Sequence, residues 1–375
     1  MEPDTDTVIV GASAAGLATA ACLQRAAVPF VLLEQGAQVA GAWRTRYDRL
    51  HLHTSKGLSY LPQLRFAREV PRYPAREQVI AYLEEYTARF GIAPRFGQRV
   101  VSVKQESGDW ITRSESAAWR SRHVVIATGY TRVPHRPAWP GLSTFSGPVL
   151  HSSEYRNGKR WSGQRVLVVG LGNSGGEIAI DLSEHGAHAA ICVRSPVNVV
   201  PRDFLGLPIV AWSLALNLLP LRVADVIGTL VSRIVFGRLE PLGLRRPPYG
   251  PMSQIHRRAR IPLLDVGTVA RIRRGEIDVL PAIESLTPHG ARFSGGAERA
   301  FDAVVLATGY RPALETFLEP AASVLDEEGV PARSGAETLP GLYFCGFHVT
   351  ATGVLREISR EAQRIARSIA SKQVA

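Results

Sequence analysis

Residues 165–194 (RVLVVGLGNSGGEIAIDLSEHGAHAAICVR) constrain this chain more than any other stretch. The apolar run 166–169 reads as a buried strand, and it breaks at Gly170, Gly172 and Gly175. A helical pattern follows, with Asn173 and Ser174 at its start, and then a second apolar strand that ends on Arg194. Glycines are needed where a strand turns sharply into a helix and where backbone must come close to a ligand. The helix behind such a turn opens with unpaired N–H groups, which suit a pyrophosphate. Arg194 lies 24 residues after Gly170, where an NAD-type site carries an acid; a base there suits a ribose 2′-phosphate and points to NADPH.

A second, different copy opens the chain. Strand 6–10 enters GASAAG, an alanine-rich helix covers 17–27, and strand 28–33 ends on Glu34, 23 residues after Gly11. Gly11 serves the tight turn and Gly16 the close packing of helix on strand, while Glu34 is placed to accept from an unphosphorylated ribose. Ser13 stands where the middle glycine of the pattern belongs, so this copy is the weaker match. Each copy is followed by short strands and then by ATGY, at 127–130 and 307–310, a partial internal repeat. Two such units imply two dinucleotides that differ at the ribose, FAD on the acid-ended copy and NADPH on the base-ended one. The fold class expected is therefore α/β, two Rossmann-like dinucleotide-binding domains with the NADPH domain inserted into the FAD domain. The expected boundaries are 1–160 and 301–375 for the FAD domain and 161–300 for the NADPH domain, the latter containing an apolar helical segment at 204–236.

A chain of 375 residues, 45% apolar and 21% charged, is ordinary for two soluble domains. Cys22, Cys192 and Cys345 are scattered in apolar segments, so neither a disulfide framework nor a metal cluster is expected, and the chain reads as cytoplasmic. The net charge of +11 is carried almost wholly by arginine, without a basic stripe interleaved with aromatics. A solvated face that steers an anionic dinucleotide accounts for it, and no nucleic-acid partner is expected. The longest apolar stretch, 204–221, is broken by Pro208 and Pro220 and falls short of a membrane span. It reads as a core or pocket-lining helix pair, with peripheral contact to a membrane surface as the alternative.

Between and after the two copies lie the remaining candidates. Trp43 follows Gly41 in a glycine- and proline-punctuated loop suited to a flat ligand, although a core role serves it equally. A helix at 76–90 has Val79, Tyr82, Leu83 and Tyr86 on one side. Arg202 is a second phosphate candidate or a surface base. Near the end, Gly346 marks a close backbone approach, and the helix starting near Thr352 offers partial positive charge to a ligand. Ile358, Ala362, Ile365 and Ile369 form its packing stripe.

The run F145-S-G147-P-V-L-H151-S-S-E-Y155 resembles the complete fingerprint of the class B flavin-dependent monooxygenases. GLGNSG at 170–175, VRSPVNVVPR at 193–202, GLRRPPYGP at 243–251, IPLLDVGTVARIRRGEIDVLP at 261–281 and FDAVVLATGYRP at 301–312 are similar to stretches of the plant YUCCA-type members. The resemblance spans nearly the whole chain. It implies an NADPH-dependent flavin monooxygenase that uses a C4a-(hydro)peroxyflavin on a small aromatic or apolar substrate, with O2 as co-substrate. Oxidative decarboxylation of a 2-oxo acid such as indole-3-pyruvate is the leading chemistry. It places Gly11, Gly16, Glu34 and Trp43 at FAD, and Gly172, Asn173, Ser174 and Arg194 at NADPH. His53, His151 and Tyr155 are the candidate catalytic residues, with His53, Arg202 and Arg356 as candidates for gripping a carboxylate. Three positions depart from the family pattern: Ser13, Ala40 in place of a glycine, and His53 where many heteroatom-oxidising members have asparagine. N- or S-oxygenation is the alternative, and a non-oxygenating flavin reductase or a dinucleotide-sensing protein the second. Nothing in the sequence separates a monomer from a homodimer.

Overall fold

The computed structural model describes residues 4–373. Two sheets organise it, each built around one glycine turn. In the first, strand Thr5–Val10 lies parallel between Phe30–Leu33 and Ala118–Ile126. Leu342–Phe344 adds parallel on the far side of Ala118–Ile126, and Glu337–Leu339 closes that edge antiparallel. Val100–Glu106 and Asp109–Ser114, the short strands expected there, form an antiparallel meander running into Ala118–Ile126. The central strands are buried on both faces, which is why Val8, Ile9, Val124, Val125 and Ile126 read as continuous apolar runs.

The second sheet repeats the plan. Arg165–Val169 lies between His188–Cys192 and Ala303–Leu306, with Ile277–Leu280 and Val149–His151 outside them, all parallel. An antiparallel annex of Ile283–Thr287, Gly290–Phe293 and Glu298–Ala300 stands where the first unit has its meander. The chain crosses between units through Val133–Pro134 and Tyr310–Arg311, which pair with each other.

Strand pairing shifts the boundaries expected at 160 and 300. Val149–His151 and Ala303–Leu306 both pair within the second sheet, and Phe145 packs beside Leu167 and Val304 in its core. The glycines at 158 and 163 resemble a linker, but they flank the short turn Lys159–Trp161, whose Trp161 is buried in the second unit. The two crossings therefore sit at the Val133–Pro134 and Tyr310–Arg311 pair.

The C-terminal helix Val354–Gln373 returns to the first unit. Its Ile358, Ala362, Ile365 and Ile369 are buried together with Ala14, Leu17 and Ala18 of helix Ala14–Arg25. Helix Arg76–Arg89 buries Val79, Tyr82, Leu83 and Tyr86 against the same core. The apolar segment forms a small hairpin, Asp203–Phe204 with Leu207–Pro208, then helices Ile209–Leu216 and Leu221–Phe236. No helix among the described residues is long and apolar enough to cross a membrane. The three cysteines are free and buried, and the described residues hold no metal-binding cluster.

Gly16 and Gly175 test the packing of these turns. A Cβ on Gly16 would lie 1.8 Å from the Gly11 carbonyl oxygen. Helix propensity alone favours Gly16→Ala by about 1 kcal/mol. The overlap is with backbone and cannot be relieved by a rotamer, so the expected outcome is a net loss of about 1–3 kcal/mol in urea denaturation. A neutral or stabilised variant would contradict the packing.

Candidate functional site

The two glycine turns share their local geometry. Gly11 and Gly170 have φ of +104° and +106°, a region that only glycine occupies easily. Their N–H groups donate to Leu33 and Cys192, at the ends of the neighbouring strands. A Cβ on Gly11 would meet the Ala127 carbonyl oxygen at 2.9 Å, and one on Gly170 the Ala307 carbonyl oxygen at 2.7 Å. Each ATGY segment thus backs directly onto a glycine turn. Ser13 and Gly172 are the two helix N-caps, both extended and neither providing a side-chain cap. The N–H groups of the first helical turns are left to a ligand, a cradle that fits the diphosphate of a dinucleotide.

Glu34 and Arg194, the groups expected to discriminate the riboses, stand in different surroundings. Glu34 is buried, and its two carboxylate oxygens accept from the N–H groups of Ala12 at 2.7 Å and Gly36 at 2.8 Å. That fixes the carboxylate at the strand end with lone pairs to spare for ribose hydroxyls. Arg194 is exposed and has no ion-pair partner among the described residues. The Asn173 side chain is used within the protein, its Oδ1 accepting from the Leu264 N–H at 2.8 Å. Arg202 lies with its guanidinium 4.2 Å from the centre of the Tyr73 ring and 3.6 Å from the Asp203 carboxylate.

Between the two helix N-termini lies a cavity of about 470 Å³. Ser13, Ala14 and Ala15 line it from the first turn and Asn173 from the second. Trp43, His53 and Gly346 also line it, and Trp43 packs at the same time against the first core. Gly346 has φ of +87°, and a Cβ there would meet Ala15 at 3.0 Å. Its N–H donates to Glu361, a buried acid whose pKa burial raises to about 7. Thr352 is buried just before the C-terminal helix and does not line the cavity, whereas Thr350, Ala351 and Gly353 do. The far wall comes from the apolar segment, through Ile209, Trp212, Leu216, Ile227 and Val231. Arg356 is not part of this lining.

A buried polar group spans the two units beside the cavity. Tyr47 donates from its hydroxyl to Glu177 Oε2 at 2.6 Å, and His53 Nε2 stands 3.5 Å from Glu177 Oε1. Tyr47 and His53 belong to the loop of the first unit, and Glu177 to helix Asn173–Glu184 behind the second glycine turn. Burial raises the Glu177 pKa to about 7 and lowers that of His53 to about 4, with the nearby Arg202 charge adding to the His53 shift. His53 Nδ1 is buried and has no partner among the described residues.

His151 and Tyr155, read as catalytic candidates, do not reach the cavity lining. His151 is fully buried; its Nδ1 lies 3.2 Å from the Ser153 N–H and its Nε2 3.0 Å from the Gly309 carbonyl oxygen. Accepting at Nδ1 and donating at Nε2 describes a neutral ring held across the second ATGY loop. Tyr155 is also fully buried and donates to Asp181 at 2.6 Å. Both positions tie the fingerprint segment to the second unit. Their burial and their protein partners hold the fingerprint segment in place, away from the cavity lining.

Two residues escaped the sequence reading. Arg46 lines the cavity with its guanidinium 4.3 Å from the centre of the Tyr310 ring and a hydrogen bond to the Tyr310 hydroxyl. Nothing in its local sequence marks it, since its partner is 264 residues away. Glu177 had a signal: Glu177 and Asp181 stand four residues apart, flanking the apolar run Ile178, Ala179 and Ile180, an arrangement that demands partners for both acids.

Comparison with known proteins gives the family. A model of the family described as "FMO-like: Flavin-binding monooxygenase-like" matches residues 5–330. The indole-3-pyruvate monooxygenase YUCCA1 of Oryza sativa subsp. japonica is 40% identical over 96% of this chain and 90% of its own length. The probable indole-3-pyruvate monooxygenase YUCCA4 of Arabidopsis thaliana is 40% identical over 91% of this chain and 84% of its own. Among solved structures, a double mutant of the flavin monooxygenase from Stenotrophomonas maltophilia matches with a TM-score of 0.75 and 25% identity, covering 98% of this chain and 99% of that one. With two nucleotide turns facing one cavity and these relatives along its length, the chain belongs to the flavin-binding monooxygenase-like family and is a flavin-dependent monooxygenase.

Proposed function

We propose that the protein is an NADPH-dependent, FAD-containing monooxygenase that converts indole-3-pyruvate, or an aromatic 2-oxo acid of that kind, to the acid one carbon shorter. The balance is one 2-oxo acid, O2, NADPH and a proton giving the shortened acid, CO2, NADP⁺ and water. One observation carries the reading: a single, largely apolar cavity is lined by both glycine-turn helices. The curated relatives that match along the chain are indole-3-pyruvate monooxygenases by name, which supports the substrate.

FAD belongs on Gly11, Ser13, Gly16 and Glu34, with Trp43 and Gly346 around it. NADPH belongs on Gly170, Gly172, Asn173, Ser174, Gly175 and Arg194, with Arg202 near by. When bound, the flavin takes electrons from NADPH and delivers one oxygen atom of O2, chemistry that no side chain supplies. The protein's share is to bind, orient and keep water out. The apolar wall of Ile209, Trp212, Leu216 and Val231 desolvates an aromatic ring. Arg46, held by Tyr310, offers a fixed cation to the 2-oxo acid carboxylate. His53 is neutral at physiological pH and presents Nδ1 as a polar contact that adds no charge to the cavity.

Purified protein should carry a flavin spectrum and couple NADPH oxidation to formation of indole-3-acetate from indole-3-pyruvate, followed by mass spectrometry. If NADPH and O2 yield only H2O2 with indole-3-pyruvate and phenylpyruvate while amines or sulfides are oxygenated, heteroatom oxygenation replaces this reading. Arg194→Ala should raise KM for NADPH far more than for NADH, by about 1–3 kcal/mol of lost charge-assisted bonding. Equal effects on both nucleotides would remove Arg194 from the 2′-phosphate.

The Tyr47, Glu177 and His53 group gives a pH dependence whose two contributions have opposite sign. With its pKa raised from 4.5 to about 7, Glu177 holds its proton more tightly folded than unfolded, so its contribution falls as pH rises from about 4.5 to 7. His53, lowered from 6.5 to about 4, contributes stability that is lost as pH falls from 6.5 to about 4. Glu177→Gln removes only the first contribution. Relative to wild type, this variant should gain stability between pH 5 and pH 8, by roughly 1–3 kcal/mol, in urea denaturation at the two pH values. A difference from wild type that does not change with pH would show that Glu177 is ionised throughout.

A further inference from the structure

The helix pair that walls the cavity has a second apolar face turned to solvent. In helix Leu221–Phe236, Val223, Val226, Leu230 and Ile234 recur at helical spacing on one face, and Val226, Leu230 and Ile234 are 67%, 55% and 65% exposed. Leu218, 87% exposed, and Leu219 continue it in the turn before the helix. Ile227 and Val231 of the same helix face the cavity instead. A soluble surface rarely leaves so many aliphatic side chains together without a partner.

Charge around this face selects the partner. Arg222 and Arg233 border the stripe, both exposed and without ion-pair partners among the described residues. The one acid of the helix, Asp225, is turned inward and accepts from the Ser253 N–H at 2.9 Å. Beside Leu218, the His256 ring bonds to Asn217 at 3.1 Å and leads into exposed Arg257, Arg258 and Arg260. An aliphatic stripe flanked by unpaired arginines, on a helix too short and too charged to span, matches an interfacial helix. A second copy of the chain fits poorly, because a two-fold contact would set this arginine-bordered face against the same positively charged face.

We propose that the face formed by Leu218, Leu219, Val223, Val226, Leu230 and Ile234 seats on an anionic lipid bilayer, with the surrounding arginines on the headgroups. The wall of the cavity then lies one helix thickness from the acyl region, which suits an apolar aromatic substrate.

Sedimentation with vesicles tests this. The intact protein should co-sediment with mixed phosphatidylglycerol–phosphatidylcholine vesicles roughly tenfold better than with phosphatidylcholine alone, and added salt should weaken the binding. Val226→Glu with Leu230→Glu should abolish co-sedimentation. Arg222→Glu with Arg233→Glu should reduce binding on the anionic vesicles to the level on neutral ones, while both variants keep the wild-type flavin spectrum and melting temperature. Absence of wild-type binding to either vesicle, or a solution dimer that Leu230→Glu dissociates, would overturn the proposal.

Discussion

Everything in this molecule depends on the closeness of two glycine turns to the carbonyl oxygens of the strands that follow them. Gly11 sits against Ala127 and Gly170 against Ala307, with room for a hydrogen but not for a methyl group. The same strands hydrogen-bond back, Ala127 to Val10 and Ala307 to Val169, both at 2.9 Å. Each turn is therefore locked between its own strand and the end of the ATGY strand. This leaves the following helix no freedom to tilt, and its unpaired N–H groups point at a fixed place. Because both units are built this way, two phosphate cradles face a common cavity at a distance set by backbone rather than by side chains.

What joins the units is polar, and at Glu177 it is desolvated. Helix Asn173–Glu184 begins at the second cradle and sends Glu177 to Tyr47 and His53, Asp181 to Tyr155, and Glu184 to Arg49 and Arg271. Three of these partners lie on the loop of the first unit. A buried hydrogen bond to a carboxylate is stronger and more directional than an apolar contact, and leaving its acceptor unpaired costs more. The helix behind the nucleotide turn thus carries the register between the two halves. His53 is reached from both sides: its ring lines the cavity, and its Nε2 faces the acid on the other unit's helix.

The glycine turns, the acid and base at the strand ends, the ATGY repeat and the packing stripe of the last helix were legible because each is a local pattern with one geometric solution. The fingerprint segment was legible only as a resemblance, and the structure gives it a physical content. Phe145 fills the second core; Gly147 could not carry a Cβ, which would meet the Asp302 carbonyl oxygen at 2.3 Å; His151 holds Gly309; Tyr155 holds Asp181. The last three each need a partner 26 or more residues away, so no window of sequence displays them. The same non-locality hid Arg46, whose partner Tyr310 lies on the returning connection, and misled the boundaries, since the strands at 149–151 and 303–306 join a sheet whose centre lies at 165–169.

The departures from the family pattern separate along the same line. Ser13 replaces a glycine, yet its φ of −108° is one that any residue adopts, and its counterpart Gly172 has nearly the same φ of −99°. Its backbone is not strained; the serine adds only a Cβ and hydroxyl at a position that lines the cavity. Ala40 is the reverse case. It lies at φ +62°, in the left-handed region where a Cβ costs roughly 1–2 kcal/mol, and it is fully buried away from the cavity lining. A substitution at the ligand-facing position therefore leaves the fold untouched, and one behind it draws on stability while leaving the cradle its shape. Folding tolerates both because the glycines that admit no Cβ against backbone, Gly11, Gly16, Gly170 and Gly175, are all retained.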